Sequence, residues 1–245
     1  MKPGVFIFDG VSSEDLHTYI QDRPLIHYPR RKVEWKSGYG TDGEIPFDEE
    51  AYENTPMELL LVVNGPSLVK SRQDLMNVID TRGTYSEVEF YFDPGKIYRV
   101  MLGDEEIQFE NKYFYGNAQA AKLMLTVKPY KYLIDSKEHS TTSKEAIITN
   151  PTNYTSQPII RLEGSGDVTI KVNGVEFKIR DMPNKLTINS ERYISYTEGA
   201  TGPIQNMNSK IVSREYPLLK PGVNNISVTG SVTKWSIDPR WRSLV

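Results

Sequence analysis

Cysteine is absent from this sequence of 245 residues, and histidine occurs only three times. Without cysteine the chain can form no disulfide, thiol nucleophile, zinc ribbon or iron–sulfur cluster. His17, His27 and His139 are never spaced so that two imidazoles would share one face of a helix or strand. We therefore expect no metal site.

Long hydrophobic runs are also missing, since no stretch approaches the roughly 18 apolar residues of a membrane span. The first ten residues, MKPGVFIFDG, lack the apolar core of a signal peptide. Hydrophobic residues make up 38% and charged residues 25% of the chain, which is ordinary globular usage. We expect a folded chain that neither enters a membrane nor follows the usual secretion route.

Motifs of known catalytic chemistry are absent or unconvincing. Gly38, Gly40 and Gly43 match GxGxxG, but the loop continues into an acidic segment with Pro46 and not into the helix that a dinucleotide site needs. The acidic clusters at 48–50 and 104–106 are better explained as solvated turns than as facing carboxyls of a glycosidase. We predict that the chain is not an enzyme and binds no cofactor.

Charge is divided unevenly along the chain. Residues 1–130 carry 14 Lys and Arg against 21 Asp and Glu, a net charge of −7, whereas residues 131–245 carry 15 against 11, a net charge of +4. An acidic first half disfavours a surface that binds nucleic acid through its phosphates. Two solvated domains with different surfaces would also explain this asymmetry.

Strand patterns dominate the first half, and one helix is predicted at 66–82, where Leu68, Leu75, Met76 and Ile79 recur at helical spacing. The turn residues Asp93-Pro94-Gly95 and Gly103-Asp104 separate several of the strands. The predicted strands are 57–63, 87–92, 97–102, 105–110 and 121–127.

The second half alternates more cleanly. Val168, Ile170 and Val172 alternate with polar residues, and Asn173-Gly174 is the strongest short signal for a hairpin, because both central positions of its turn need positive φ. We therefore place Ile170 in the interior and Lys171 on the surface. Further strands are predicted at 186–188, 192–196, 226–228 and 232–237, which favours a β-sandwich or jelly roll.

Two segments interrupt these patterns. Residues 35–56 are Gly-rich and acidic with little apolar periodicity, and a segment of that length is usually functional or ordered by a partner. The polar stretch at 128–147 indicates a domain boundary, which we place near Tyr132. The predicted organisation is an N-terminal domain at 1–132 and a C-terminal domain at 133–245.

Several short segments stand in an order and spacing that is specific when they are taken together. In the first half they are the opening strand at 6–9, the single helix and the junction Lys128-Pro129-Tyr130. In the second half they are Pro158-Ile159-Ile160, Gly164-Ser165-Gly166-Asp167, Asn173-Gly174, Asn206-Met207-Asn208-Ser209-Lys210, Tyr216-Pro217-Leu218-Leu219-Lys220-Pro221-Gly222-Val223-Asn224 and Pro239-Arg240-Trp241-Arg242. Over nearly the whole chain they resemble the distal tail protein (Dit) family of long-tailed, non-contractile bacteriophages.

The resemblance implies a mainly β fold. Its N-terminal domain would be a ring-forming β structure with one α-helix and an extended arm, and its C-terminal domain a galectin-like β-sandwich. Six copies would close into a ring, single or stacked with a second ring, at the tail tip of the virion after assembly in the host cytoplasm. The implied partners are the major tail protein, the tape measure protein, the tail-associated lysin or fibre protein and the receptor-binding protein. Genome DNA would pass through the channel without specific binding.

Two sets of candidate interaction residues follow from these interpretations. In the ring, the arm would bind a neighbouring copy, and its candidate contact residues are Tyr39, Glu44, Phe47 and Tyr52. The alternative function is a carbohydrate-binding virion adhesin whose C-terminal sandwich stacks host-wall sugars on aromatic rings. Its candidate residues are Tyr193, Tyr196, Trp235 and Trp241.

Overall fold

The computed structural model describes residues 1–40, 42–103, 107–114, 118–197 and 204–245. The chain divides into two compact units, the first formed by Met1–Lys131 with Leu244–Val245 and the second by Tyr132–Ser243. Strands dominate both units, and the described residues contain one α-helix, so the predicted mainly β class with a single helix is confirmed. No helix in the described ranges is long and apolar enough to cross a membrane.

The first unit is built on an antiparallel sheet in the order β2-β1-β7-β8-β10-β6-β3, with β9 paired to β10 and β11 to β8. Side chains alternate across the sheet, as the burial of every second residue of β6 shows. The strands are β1 Phe6–Phe8, β2 Val11–Ser12, β3 Thr18–Ile20, β4 Arg31–Ser37, β5 Glu44–Tyr52, β6 Thr55–Val63, β7 Ser86–Phe90, β8 Lys96–Leu102, β9 Gln108–Phe114, β10 Ala118–Val127 and β11 Tyr130–Leu133.

The single helix, α1, spans Leu68–Ile79, inside the predicted range of 66–82. The Ser67 side chain caps its N-terminus by accepting a hydrogen bond from the Lys70 backbone N–H. Leu75 and Ile79 are fully buried in the cluster formed by the inner face of the sheet. The helix therefore covers one face of the sheet and leaves the other face for other contacts.

Strands β4 and β5 form a two-stranded antiparallel hairpin separate from the main sheet. The sequence predicted no strands here because both strands are exposed along most of their length and lack a buried apolar face. Among the other predictions for this unit, the strand at 105–110 and the turn at Gly103-Asp104 fall partly outside the described residues, since the description resumes at residue 107.

In the second unit the described residues form eight strands in one hydrogen-bonded network, in the order β12-β19-β14-β16-β17-β18, with β13 paired to β19 and β15 to β14. These strands are β12 His139–Thr141, β13 Glu145–Asn150, β14 Ile159–Val172, β15 Val175–Met182, β16 Lys185–Asn189, β17 Ile194–Thr197, β18 Gln205–Asn206 and β19 Gly222–Asp238, and the short β20 Arg242–Leu244 follows them.

Two long strands, β14 and β19, connect two layers of this unit. The first part of β14 pairs with β16 and its last part with β15, and the register shifts between Glu163 and Val168. Hydrophobic side chains of both parts lie in one core cluster, so the two parts belong to layers packed face to face. The prediction of separate strands at 226–228 and 232–237 was wrong, because the chain bends within β19 without ending the strand.

Glycine permits this bend. A Cβ atom at Gly164 would overlap the Ser231 carbonyl oxygen, and one at Gly230 would overlap the Asp167 carbonyl oxygen. The two long strands approach each other too closely here for any side chain. Each of these close approaches therefore requires a glycine on one of the two strands.

The hairpin between β14 and β15 has the register predicted from its alternation. Asn173 and Gly174 have φ values of 50° and 90°, as a turn with two positive φ angles requires. Ile170 is fully buried opposite Phe177, whereas Lys171 is exposed opposite Glu176. The sequence therefore predicted correctly which face of this hairpin enters the core.

A buried ion pair lies near the end of the second unit. The Arg240 Nη1 atom is 2.8 Å from Glu191 Oε2, and their side chains are only 8% and 17% exposed. The guanidinium also lies over the Tyr132 ring, 5.0 Å from its centroid. Charges this well shielded from water need a partner, so removal of either one alone would leave the other charge uncompensated.

Candidate assembly surfaces

The hairpin formed by β4 (Arg31–Ser37) and β5 (Glu44–Tyr52) is called the arm below. Near its base the Arg31 guanidinium makes a bidentate pair with Asp48, with Nε–Oδ1 at 2.8 Å and Nη2–Oδ2 at 2.7 Å. The hydrogen bond from Arg31 lowers the pKa of the Asp48 carboxyl. Arg31 also lies over the Tyr52 ring at 4.9 Å. These contacts hold the two strands together without a hydrophobic core.

Apolar side chains of the arm are exposed on both faces. Cross-strand pairing puts Trp35 beside Pro46 on one face, and Lys36 beside Ile45 on the other. Trp35 is 59% exposed, and Phe47, on the same face as Ile45, is 49% exposed. These exposures show that the arm carries apolar surface that its own chain does not cover. An isolated two-stranded hairpin is also only marginally stable in water.

The four candidate arm residues lie in two different places. Tyr39 is completely exposed at the tip, and Glu44 and Phe47 are exposed along β5. Tyr52 is half-buried at the base, where its ring meets the edge of the Tyr130 ring with centroids 5.9 Å apart. The first three are open to a partner, whereas Tyr52 anchors the arm to its own unit.

Sequence reasoning missed Trp35 and Ile45 as surface residues of the arm. Val33 and Trp35 alternate with charged residues, and Ile45 and Phe47 flank Pro46 with the same period of two. That alternation is the signal of a strand and could have identified both strands of the hairpin. The many acidic residues of the segment concealed it.

A shallow groove of about 310 Å³ lies on the face of the first unit's sheet opposite α1, and it is called the outer groove. It crosses β1, β7 and β8. Its lining combines apolar and acidic side chains with one glycine, namely Ile7, Asp9, Gly10, Glu87, Glu89 and Ile97. Sequence reasoning did not find it, because its residues come from two segments about 80 positions apart.

The four aromatic residues considered for sugar stacking do not form one exposed platform. Trp235 and Trp241 are 2% and 7% exposed in the core cluster, so neither ring face is open to a sugar. The Trp235 Nε1–H donates to the Ser143 carbonyl oxygen at 2.7 Å. Tyr196 is half-buried, and Tyr193 is 58% exposed.

The position of Trp235 has a specific cause. Simple alternation from the buried Val232 would place Lys234 inside and Trp235 outside. The pairing of β19 with β14 skips one residue, because Lys234 pairs with Glu163 whereas Val232 pairs with Gly164. Such a bulge reverses the face on which the following side chains lie. Trp235 consequently enters the core, and its assignment to a sugar-binding surface was wrong.

A second recess of about 160 Å³ lies beside the Asn173-Gly174 turn of the second unit. Its floor contains the partly buried Tyr216, whose ring packs on the buried Phe177 with centroids 5.1 Å apart. Val175 and Leu218 lie at its more exposed rim. Across the described ranges, no group of three His, Asp or Glu side chains could hold a metal ion.

Comparison with known proteins gives similarity at the level of structure alone. No protein-family model matches the sequence, and no curated protein matches it significantly. The Dit protein of phage SPP1, a paradigm of the hub adsorption apparatus in phages that infect Gram-positive bacteria, superposes with a TM-score of 0.68 at 17% identity, over 98% of this chain and 99% of that one. The baseplate of phage p2 in its activated conformation with Sr contains a chain that matches with a TM-score of 0.52 at 10% identity, over 90% of each chain. The resemblance to distal tail proteins is therefore confirmed for the fold, and this chain has the fold of a phage tail hub protein.

Proposed function

We propose that this chain is a structural hub of a phage tail, which joins the tail tube to the tip and acts by assembly without catalysis. The observation that carries this proposal is the structural similarity to the SPP1 hub protein over practically the full length of both chains. Shared fold alone does not fix function. The uncovered arm adds an independent physical argument, because a hub needs surface that is reserved for neighbouring subunits.

In this proposal six copies close into a ring, single or stacked with a second ring, through an N-terminal domain at 1–132. A closed ring requires that one surface of each copy meet a different surface of the next. The arm supplies one of these two surfaces, with Tyr39, Glu44 and Phe47 exposed for contact with the next copy. The C-terminal domain at 133–245 would be a galectin-like sandwich.

The acidic first half of the chain supports a channel for DNA. Six copies of residues 1–130 carry a formal charge of about −42, from −7 for each copy. A negative wall repels phosphates and gains nothing from counterion release, so DNA could slide through without specific binding. The proposed partners are the major tail protein above the ring, the tape measure protein within it, and the tail-associated lysin or fibre protein and the receptor-binding protein below it. The location would be the virion tail tip, following assembly in the host cytoplasm.

The test is the mass of the purified protein over a range of concentrations, together with electron microscopy of the particles and of the virion tail tip. We expect a mass of six or twelve chains and a six-fold ring. A particle that is monomeric both alone and when mixed with its tail partners would contradict the proposal.

A carbohydrate-binding adhesin is the second candidate function, and the exposed ring of Tyr193 is the observation that favours it. Tyr193 stands with its ring at 89° to that of Tyr216, with centroids 5.6 Å apart. An exposed aromatic ring can stack on a sugar, although one ring offers little area. Pull-down of the second unit on host cell walls would test this function, with Tyr193→Ala as the variant that should lose binding.

A further inference from the structure

The outer groove combines apolar surface with an excess of negative charge. Ile7 and Ile97 provide the apolar part, and the carboxylates of Asp9, Glu87 and Glu89 surround it. Arg99 approaches Glu87 at 3.6 Å, but Glu89 has no ion-pair partner within the described part of the chain. Covering such a groove with purely apolar atoms would be costly, because carboxylates would lose water without compensation. Its occupant must bring both apolar atoms and a cation.

One face of the arm carries this combination. The pairing of β4 with β5 places Ile45, Phe47, Lys36 and Glu34 on the same face. The Lys36 ammonium lies 5.0 Å from the Phe47 ring centroid and 3.2 Å from the Glu34 carboxylate, and its side chain is 54% exposed. The acidic Glu44 belongs to the opposite face. The face with Phe47 therefore presents an apolar centre beside an accessible ammonium.

The arm does not fill the groove of its own chain. The Glu87 side chain is 57% exposed, and the groove is open. The arm leads into β6, and β1 is four strands away from β6 in the sheet, roughly 19 Å at ordinary strand spacing. Phe47 lies five residues before Tyr52, roughly 16 Å along an extended strand. The arm can therefore hold Phe47 roughly 16 Å from the point where it joins the first unit.

We propose that the arm of one copy docks in the outer groove of the next copy, with Ile45 and Phe47 against Ile7 and Ile97 and with Lys36 beside Glu89. This rests on the ring proposed above. The two surfaces differ and lie on the same chain, which is the condition for a head-to-tail contact that closes on itself. The groove gains the apolar cover and the cation that its lining requires.

The absence of cysteine makes the contact directly testable. The double variant Phe47→Cys with Ile97→Cys introduces one thiol on each surface of an otherwise cysteine-free chain. Treatment of the assembled protein with a short bis-maleimide is expected to link neighbouring copies and to give a ladder of up to six chains on a denaturing gel. The matched control combines Phe47→Cys with Val69→Cys, because Val69 is 70% exposed on α1, at the opposite side of the sheet. The control is expected to give no ladder.

Charge reversal tests the ionic part of the contact. Lys36→Glu should raise the concentration needed for half-assembly about fivefold, which corresponds to about 1 kcal/mol. Adding Glu89→Lys to the same chain should restore assembly, because the pair is then present with reversed signs. Failure of this rescue, with each variant folded by circular dichroism, would overturn the assigned pairing.

Parallel mass measurement of the unlinked protein separates the possible failures. Six-fold particles without a ladder, or with equal ladders for the Ile97 and Val69 variants, would overturn the docking site and leave the hub function standing. A protein that stays monomeric in the presence of its tail partners would overturn the hub function and the docking site with it.

Discussion

Truncation of Ile170 tests the packing of the second unit. Ile170 is fully buried, between Phe177 on β15 and Val228 on β19. Ile170→Ala removes three carbon atoms, at about 0.8 kcal/mol each, which gives about 2.4 kcal/mol of lost burial. The hydrogen-bonded strands on both sides limit collapse of the resulting cavity, so the total loss should be about 3–4 kcal/mol. That is a large part of the free energy of unfolding of an ordinary domain.

The assay is urea unfolding followed by tryptophan fluorescence. Trp235 and Trp241 lie in the same core cluster as Ile170, whereas Trp35 is already exposed in the first unit. The fluorescence change therefore reports mainly on the second unit. Ile170→Ala should lower the transition midpoint without changing the slope, because the surface exposed on unfolding stays the same.

The matched control is Lys171→Gln, one residue along on the opposite face. Lys171 is exposed, and its ammonium is 3.9 Å from the Glu176 carboxylate, so the loss should stay below about 0.5 kcal/mol. Glutamine is preferable to aspartate because Glu176 lies directly opposite, where a second carboxylate would add repulsion. Equal small effects at both positions, or a larger effect at Lys171, would refute the assigned register.

Three further predictions concern other parts of the chain. Replacement of residues 33–48 by a short Gly-Ser turn should abolish ring formation but shift the melting temperature of the monomer by no more than about 2 °C, because the arm contributes no core. Arg240→Met should lower the free energy of unfolding by about 3 kcal/mol, because the buried Glu191 carboxylate loses its guanidinium, and adding Glu191→Gln should recover part of it. Burial raises the pKa of the Asp238 carboxyl, so the folded chain holds this proton more tightly than the unfolded chain. Stability attributable to Asp238 should therefore decline as the pH rises from 3.8 through the raised pKa, and Asp238→Asn should increase the free energy of unfolding in urea at pH 7 but not at pH 3.

Each of these predictions has a clear contrary result. A fall of many degrees on removal of the arm would show that the arm belongs to the core. A small loss in Arg240→Met, or no recovery in the double variant, would show that the ion pair is not coupled. Destabilisation by Asp238→Asn at pH 7 would mean that Arg240 and Arg161, which favour the charged carboxylate, outweigh its burial.

Features encoded by neighbouring residues could be predicted from the sequence. The helix follows from apolar residues at helical spacing after Pro66, and the β14–β15 hairpin follows from Asn173-Gly174 between alternating runs. Both depend on backbone geometry and on one buried face, which leave a periodic pattern. The mainly β class and the inward position of Ile170 could be predicted for the same reason.

The candidate surfaces could be predicted only in part from the sequence. The arm could be located as an unusual polar segment, and three of its four candidate residues are exposed. Its two strands pair with each other but bury neither face. Burial therefore imposes no strong apolar pattern on this segment, and the hairpin was not predicted from the sequence. The outer groove could not be predicted, because strand order alone brings Ile7 together with Glu89 and Ile97.

Only the tertiary structure decided the face on which Trp235 lies. Strand alternation is local, but the bulge before Trp235 arises where β19 crosses β14 between two layers, opposite Glu163 and Gly164. A one-residue shift there exchanges core and surface for every later side chain of the strand. The sequence by itself thus determined the elements and their class, whereas contacts between distant segments determined which aromatic rings are buried and which surfaces are left for partners.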